Sequence, residues 1–283
     1  MTIQTHSTSK KHFKGPAKMK LFLIVFVVIF FLLFIIPFFL PLTVTNYTVR
    51  NSKIPEELSG MRLLILSDFH GKSFGKNEEK LLSKISDCNP DIIIFLGDAI
   101  DETHTNENLT LLLQGLSEKQ FQKIYAITGN HEFDPAAPLA ELYQIYDDYG
   151  VKLLDGEKLV LKGSSSAIEI RGFQYQKNRG KIEMVGANEN SFSILLYHSP
   201  DIFVANSFLN YDLILSGHSH GGIIRLPFLG GLISNDGSLF PKYDAGVFKD
   251  GNSEMIVSRG LGDASIPRYN NPPEIVCVTL EHQ

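Results

Sequence analysis

The sequence predicts an α/β or α+β domain that follows a single transmembrane helix. An apolar run covers residues 21–44. From Met61 onward, short apolar stretches of strand length alternate with stretches long enough for helices. There is no internal repeat, and no change in composition divides residues 46–283, so we expect one domain after the membrane segment.

The apolar run of residues 21–44 is long enough to cross a bilayer. It carries no charged side chain, and at about 1.5 Å per residue it spans roughly 36 Å, against a hydrocarbon core of about 30 Å. The alternative is a cleaved signal peptide. The run exceeds a typical signal core, however, and no small-residue cleavage site follows it, so we expect a retained transmembrane anchor.

Charge is distributed unevenly along the chain. Residues 1–20 contain five lysines and no acidic residue, which predicts a basic cytoplasmic tail. By the positive-inside rule, a single-pass protein of the cell membrane then exposes the rest of the chain outside the cytoplasm. Since the whole chain carries −5, these lysines leave residues 46–283 with −10. Such an acidic domain is not a general nucleic-acid binder, because nucleic-acid backbones require Lys and Arg contacts.

Helices and hairpins are placed by periodicity and by turn residues. Two hairpins are predicted, one pairing residues 158–161 with 167–170 and the other pairing residues 247–249 with 254–258. The segments of helical length and spacing are Asn77–Cys88, Asn106–Ser117 and Pro138–Tyr149.

Apolar strands are predicted at five places, and each precedes polar residues. In the sheets of α/β proteins, ligands bind beyond the carboxyl ends of the strands. If the five strands share a sheet, the residues that follow them converge on one edge. The predicted strands are Arg62–Ser67, Asp91–Gly97, Lys123–Gly129, Ser193–Tyr197 and Tyr211–Gly217.

The residues that follow these strands are of types that bind divalent metals. Asp, Asn and His together suit Mn²⁺, Zn²⁺ or Fe, whereas Ca²⁺ prefers oxygen ligands alone. The set is larger than one tetrahedral zinc needs, which predicts two ions that share a carboxylate. The first three blocks alone also fit plain turns, and His198 alone fits a structural histidine, whereas two histidines in His218-x-His220 between glycines have little packing rationale. The ordered set is what makes the pattern specific. In chain order the residues are Asp68, His70, Asp98, Asp101, Asn130, His131, His198, His218 and His220.

The ordered blocks Asp-x-His, Gly-Asp-x-x-Asp, Gly-Asn-His-Glu, His and Gly-His-x-His resemble the calcineurin-like metallophosphoesterase superfamily over residues 61–283. The Ser-Gly-His-Ser-His-Gly-Gly-Ile-Ile-Arg-Leu-Pro stretch, Ser258-Arg-Gly-Leu-Gly and Pro272-Pro-Glu-Ile are similar to a bacterial membrane-associated phosphodiesterase subgroup. The resemblance implies a β-sandwich flanked by helices.

The resemblance also implies a role for each site residue. His131 would stabilise the transition state or protonate the leaving oxygen, and Asp101 would orient His131. Two ions would lower the pKa of a shared water, giving a bridging hydroxide that attacks the phosphorus. Of the ligands, Asp68, His70 and His220 would hold the first ion, Asn130, His198 and His218 the second, and Asp98 would bridge both.

The second block departs from the protein-phosphatase branch, in which an Arg that grips the substrate phosphate follows it. Here Glu102 occupies that position. The departure disfavours phosphoprotein substrates and favours phosphodiesters or pyrophosphates. Arg225, Arg259 and Arg268 are candidate substrate contacts instead, although each also fits an ordinary surface charge.

The anchor and the complete ligand set together predict a hydrolase of a lipid-linked or cell-envelope phosphate compound. One alternative is a nucleotide-sugar pyrophosphatase of the UDP-diacylglucosamine type, but its substrate is made on the cytoplasmic side, which disagrees with the predicted topology. A non-catalytic metal-binding scaffold would be favoured if a ligand were replaced, and none is. A nuclease is disfavoured by the acidity of residues 46–283.

Overall fold

A computed structural model describes residues 15–101, 106–175, 185–235, 237–264 and 266–283. Most of the predicted basic tail and the departure at Glu102 therefore lie outside the described residues. The chain forms two compact units, which divide between Phe39 and Leu40.

The N-terminal unit is helical. Helix α1 (Gly15–Phe30) continues through a π-helical segment and a 3-10 turn that ends at Phe38. By length and apolar composition, Lys18–Phe38 could cross a membrane. The helical segment ends earlier than the predicted boundary at residue 44, because Pro37 cannot continue a helix and Thr43 already begins a strand.

The C-terminal unit contains fourteen strands and four helices among the described residues. The helices are α2 (Glu79–Cys88), α3 (Glu107–Glu118), α4 (Leu139–Asp148) and α5 (Asn206–Leu209). The strands are β1 (Thr43–Arg50), β2 (Met61–Leu66), β3 (Ile92–Leu96), β4 (Ile124–Ile127), β5 (Lys152–Leu153), β6 (Lys158–Lys162), β7 (Ala167–Gly172), β8 (Phe192–Leu196), β9 (Leu213–Ser216), β10 (Ile224–Leu226), β11 (Gly230–Ile233), β12 (Gly246–Asp250), β13 (Ser253–Val257) and β14 (Glu274–Glu281).

Two six-stranded sheets form the body of this unit. The first sheet has the order β1-β14-β2-β3-β4-β5, and the second has the order β12-β13-β9-β8-β7-β6. Strands β2 to β5 are mutually parallel, as are β7, β8, β9 and β13. Strand β14 runs antiparallel to β2 and parallel to β1. Strands β10 and β11 form a separate antiparallel hairpin.

Alternating side chains bury both faces of the first sheet. In β3, Ile92 and Ile94 point into a core shared with the second sheet, while Ile93 and Phe95 pack against α2, α3 and α4. A third cluster, which includes Ile214, covers the outer face of the second sheet. The molecule therefore contains a β-sandwich flanked by helices, as the sequence predicts.

The predicted helices and both predicted hairpins are confirmed, with boundaries that differ by a residue or two at most ends. The five predicted strands also form, but they do not share one sheet. Strands β2, β3 and β4 lie in the first sheet, and β8 and β9 lie in the second. Sequence reasoning did not identify β1 as an edge strand, because its partner, β14, lies at the other end of the chain.

Candidate metal centre

The loops that follow β2, β3, β4, β8 and β9 meet at one edge of the sandwich, which we call the site edge. The carboxyl ends of these strands, from both sheets, come together there. The Nδ1 atom of His198, after β8, lies 2.7 Å from the carbonyl oxygen of Leu96 in β3. The backbone N–H of His218, after β9, donates to Asp68 after β2 at 3.0 Å. The predicted convergence therefore occurs across two packed sheets rather than along one.

Three side chains form a first ligand group. The Nε2 atom of His70 lies 3.4 Å from Nε2 of His220, and that atom of His220 lies 3.5 Å from Oδ1 of Asp68. All three side chains are buried, and their nearest ligand atoms lie within 4.8 Å of one another. This spacing is small enough for one ion to be bound by all three.

Asp98 belongs to two further groups. One group joins it to His198 and His218, and the other joins it to His70 and His131. Its Oδ2 atom lies 3.0 Å from Nε2 of His198 and 3.9 Å from Nε2 of His70. A carboxylate shared between adjoining groups has the position required of a bridging ligand.

Two buried atoms at the site have no hydrogen-bond partner among the described residues. They are Oδ1 of Asn130 and Nδ1 of His218. Buried polar atoms are normally satisfied, and an orphaned one costs about 1–3 kcal/mol. Both atoms have lone pairs that can bind a metal. Asn130 and His218 therefore fit a metal ion beside Asp98.

The charge distribution of the site also fits cations. Asp68 and Asp98 are fully buried, and no Lys or Arg of the described chain pairs with either. Burial opposes the protonated form of His198, but the adjacent Asp98 outweighs it and raises the pKa of His198 to about 10. Burial lowers the pKa of His220 to about 3. A divalent ion would balance the buried carboxylates and bind the neutral imidazoles.

The backbone is strained at five of the seven predicted ligands. They adopt positive φ angles of 46–68°, a region that non-glycine residues enter only at a cost of about 1–3 kcal/mol each. Such strain is concentrated at functional sites. The five are Asp68, His70, Asp98, His218 and His220.

Gly97 and Gly129 allow the β3 and β4 loops to touch. A Cβ atom on Gly97 would lie 2.5 Å from the backbone nitrogen of Gly129, and one on Gly129 would collide with Asp98. A larger residue at either position would displace these loops and Asp98 with them, so both positions require glycine.

Glu132 is a site residue to which sequence reasoning assigned no role. Its carboxylate is buried and accepts hydrogen bonds from the backbone N–H groups of Asp98 at 2.9 Å, Ala99 at 2.7 Å, Ile100 at 3.3 Å and Gly129 at 2.6 Å. It therefore ties the β3 loop to the β4 loop. Its position in the Gly-Asn-His-Glu block is the sequence feature that could have identified it.

A cleft of about 610 Å³ opens beside His131 and His218. Its aromatic walls include Tyr175, whose ring centroid lies 5.9 Å from that of His218, and Tyr243. Lys242, which also lines the cleft, lies over the Tyr243 ring at 4.8 Å. Sequence reasoning missed these three residues, because they lie on irregular segments outside the ligand blocks.

Asp101 lies beside a predicted ligand. Its Oδ2 atom is 3.5 Å from Nδ1 of His70. His131 donates its backbone N–H to Oδ1 of Asp98 at 2.9 Å, and its ring packs edge-on against His70 with centroids 4.8 Å apart. The predicted orientation of His131 by Asp101 stays a prediction.

The three candidate arginines have partners within the protein. Arg225 pairs with Asp244 at 2.9 Å, Arg259 pairs with Glu274 at 2.8 Å, and Arg268 donates to the carbonyl of Gly262 at 2.6 Å. None of the three is among the described side chains that line the cleft. Their positions therefore support structural roles and give no support to substrate binding.

Together, this fold and this site define a metal-dependent phosphoric ester hydrolase. The profile of the calcineurin-like phosphoesterases matches residues 61–222, which is more than half of the chain, and the chain belongs to this family. This membership confirms the resemblance seen in the sequence. Members of the family hold a dinuclear divalent metal centre.

Several relatives extend this similarity beyond the profile. The metallophosphoesterase YkuE of Bacillus subtilis is 28% identical over 85% of this chain and 86% of its own length. A zebrafish (Danio rerio) transmembrane protein with a metallophosphoesterase domain is 25% identical over 85% of this chain and 58% of its own. The UDP-2,3-diacylglucosamine pyrophosphatase LpxG of Chlamydia trachomatis is 24% identical over 83% of this chain and 88% of its own.

Proposed function

We propose that this chain is a membrane-anchored enzyme whose domain, residues 46–283, hydrolyses a phosphodiester or pyrophosphate bond with two divalent ions. The observation that carries the proposal is the division of the candidate ligands into three adjoining groups, which are linked through His70 and Asp98. The orphaned atoms Oδ1 of Asn130 and Nδ1 of His218 supply ligand positions that the protein itself leaves unsatisfied.

In this proposal each ion has its own ligands. When bound, two such ions lower the pKa of a shared water, orient the phosphoryl group and neutralise its charge. Mixed His, Asn and Asp ligation suits Mn²⁺, Zn²⁺ or Fe. Asp68, His70 and His220 would hold the first ion, Asn130, His198 and His218 would hold the second, and Asp98 would contribute to both.

The other residues act on the substrate side. The cleft position of His131 suits it to donate a proton to the leaving oxygen or to stabilise charge on the phosphoryl group. Asp101 is proposed as a positioning residue for the neighbouring imidazoles of His70 and His131. Tyr175 and Tyr243 would pack against the part of the substrate beyond the phosphate.

The substrate is proposed to be lipid-linked or to belong to the cell envelope. The helical segment Lys18–Phe38 and the zebrafish transmembrane relative support action at a membrane. A second candidate is a UDP-diacylglucosamine-type pyrophosphatase, which the similarity to LpxG favours. The two candidates differ in the side of the membrane on which the domain lies.

A topology reporter fused after Gln283 separates them. We expect alkaline phosphatase fused there to be active and a cytoplasmic fluorescent protein to be dark, because the basic tail predicts an extracytoplasmic domain. The opposite result would favour the nucleotide-sugar pyrophosphatase.

Hydrolysis is tested with the full chain in detergent, loaded with Mn²⁺, Zn²⁺ or Fe²⁺, on bis-p-nitrophenyl phosphate. We expect metal-dependent turnover and about two ions per chain. The matched control is Asp98→Asn, which keeps the shape of the side chain and removes its charge. Two bound ions without turnover on this or any phosphometabolite would favour the non-catalytic scaffold instead.

A further inference from the structure

The hairpin that follows the last ligand block exposes large apolar side chains. Phe228 and Leu229 lie at the tip between β10 and β11, with relative exposures of 106% and 67%. Leu239 and Phe240 follow β11, with exposures of 66% and 58%. We call these four side chains the apolar rim. Apolar side chains cluster on a protein surface mainly where another apolar phase or partner covers them.

The apolar rim borders the candidate metal centre. The hairpin begins at Ile224, one short turn after His220, and Asn271 donates to the carbonyls of both His220 at 2.6 Å and Ile223 at 3.1 Å. Leu239 and Phe240 lie between Ser238 and Pro241, which both line the cleft beside His131 and His218. A surface that touches Leu239 and Phe240 would therefore lie beside the cleft.

The chain also joins the C-terminal unit at the site edge. The carboxyl end of β2 pairs with the amino end of β14, which is next to the amino end of β1. Thr43 donates its backbone N–H at 2.9 Å and its hydroxyl at 3.0 Å to the carbonyl oxygen of Pro273. The neighbouring Tyr269 accepts a hydrogen bond from Arg225 of the hairpin at 2.9 Å. Thr43, the hairpin and the metal-site loops thus share one edge.

The covalent chain restricts the distance from this edge to a membrane. If Lys18–Phe38 spans a bilayer, the link from Phe38 to Thr43 reaches no more than roughly 17 Å, at about 3.4 Å per residue. The site edge would therefore lie near the lipid surface, whichever leaflet it faces. The opposite edge, where β1 ends at Arg50, is separated from the site edge by the length of β1.

From these observations we propose that the apolar rim docks on the phospholipid bilayer and holds the mouth of the cleft at the lipid surface. Phe and Leu side chains on a protruding turn are suited to the boundary between headgroups and acyl chains. The docking deepens the proposed function, on which it rests, because it specifies a substrate whose phosphate lies at the membrane surface.

The absence of tryptophan from the sequence makes the test clean. We would prepare the full-length F228W variant in phosphatidylcholine–phosphatidylglycerol vesicles with brominated acyl chains. The matched control is F208W, at a residue that is 85% exposed on α5 and precedes the amino end of β9, away from the site edge. We expect Trp emission from F228W to be blue-shifted and quenched by the bromines, and emission from F208W to remain unquenched.

Equal quenching in the two variants, or none in F228W, would overturn the proposal. Turnover of bis-p-nitrophenyl phosphate by the same samples keeps the proposals distinguishable. Turnover without F228W quenching defeats the docking alone, and quenching without turnover defeats the hydrolase alone. Failure of the wild-type chain to float with vesicles would remove the anchor and the docking together.

Discussion

Glu132 connects two ligand-bearing loops through hydrogen bonds from four backbone N–H groups. In Glu132→Gln, an NH₂ donor replaces one acceptor oxygen and faces those N–H donors. Each buried group left unpaired costs about 1–3 kcal/mol, so we expect a lower melting temperature and weaker metal binding. Calorimetry and metal analysis measure both effects. The exposed Glu141→Gln on α4 is the control and should change neither, and equal behaviour of the two variants would contradict the role.

His131 and Asp98 are proposed to act at the same site in different ways. We expect His131→Ala to retain two ions per chain while kcat falls by about 10²–10⁴-fold, the usual contribution of a general acid or base. Asp98→Asn should instead lose metal and activity together, because both ions depend on its charge. Metal content measured beside kcat separates the two. Loss of an ion from His131→Ala would make His131 a ligand.

Much of the site was predictable at the residue scale, because each predicted ligand follows a strand and a tight turn. Asp68 and His218 are far apart in sequence, yet alternation and turn residues indicated that both lie at strand ends. The cleft residues Tyr175 and Tyr243 gave no such signal. Their positions depend on how irregular segments pack, which no local pattern encodes.

The two subgroup motifs near the C-terminus form one structural element. Glu274 of Pro272-Pro-Glu-Ile is buried and accepts hydrogen bonds from the backbone N–H and the guanidinium of Arg259 at 2.9 and 2.8 Å. Gly262 of the other motif donates its backbone N–H to the carbonyl of Asp68. The motifs thus support the Asp68 loop from outside the ligand set.

Loss of the ion pair between Arg259 and Glu274 should reduce the stability of the fold rather than substrate binding. Arg259→Ala leaves the Glu274 carboxylate buried without its cation, which costs about 3 kcal/mol. Arg50→Ala is the matched control, because its ion pair with Glu281 is exposed and is worth about 0–1 kcal/mol. Denaturant unfolding measures both variants. An unchanged free energy of unfolding with a raised KM for bis-p-nitrophenyl phosphate would make Arg259 a substrate contact.

Elements with local signals were predictable, and elements that depend on distant partners were not. Helix α4 shows its apolar spacing in the sequence, and it forms almost as predicted. Strand β1 pairs with β14, although nearly the whole sequence of the C-terminal unit lies between them. Thr43 and Val44 continue an apolar run, so sequence alone assigned them to the membrane segment. Only the pairing identifies them as strand.

At the scale of the whole C-terminal unit, the candidate metal centre lies where two sheets meet, and each sheet supplies part of it. Strands β2, β3 and β4 carry one share of the ligands, and β8 and β9 carry the other. Convergence was predicted for a single sheet. The observed arrangement depends on two sheets, because the predicted ligands come together only if the core between the sheets packs correctly. We therefore expect metal binding to be coupled to the folding of this unit.

This coupling predicts that metal stabilises the folded chain. An ion that binds only the native state contributes about 2.7 kcal/mol at a free concentration of 100 times its Kd. For a domain of this size, that corresponds to roughly 5–10 °C in melting temperature. We expect the full chain in detergent to melt that much lower in EDTA than in Mn²⁺, and Asp98→Asn to melt alike in both. A wild-type melting temperature that EDTA leaves unchanged would mean that the buried carboxylates and imidazoles are stable together without a bound cation. The burial of Asp68 and Asp98 argues against that outcome, because buried charges are costly unless they are paired.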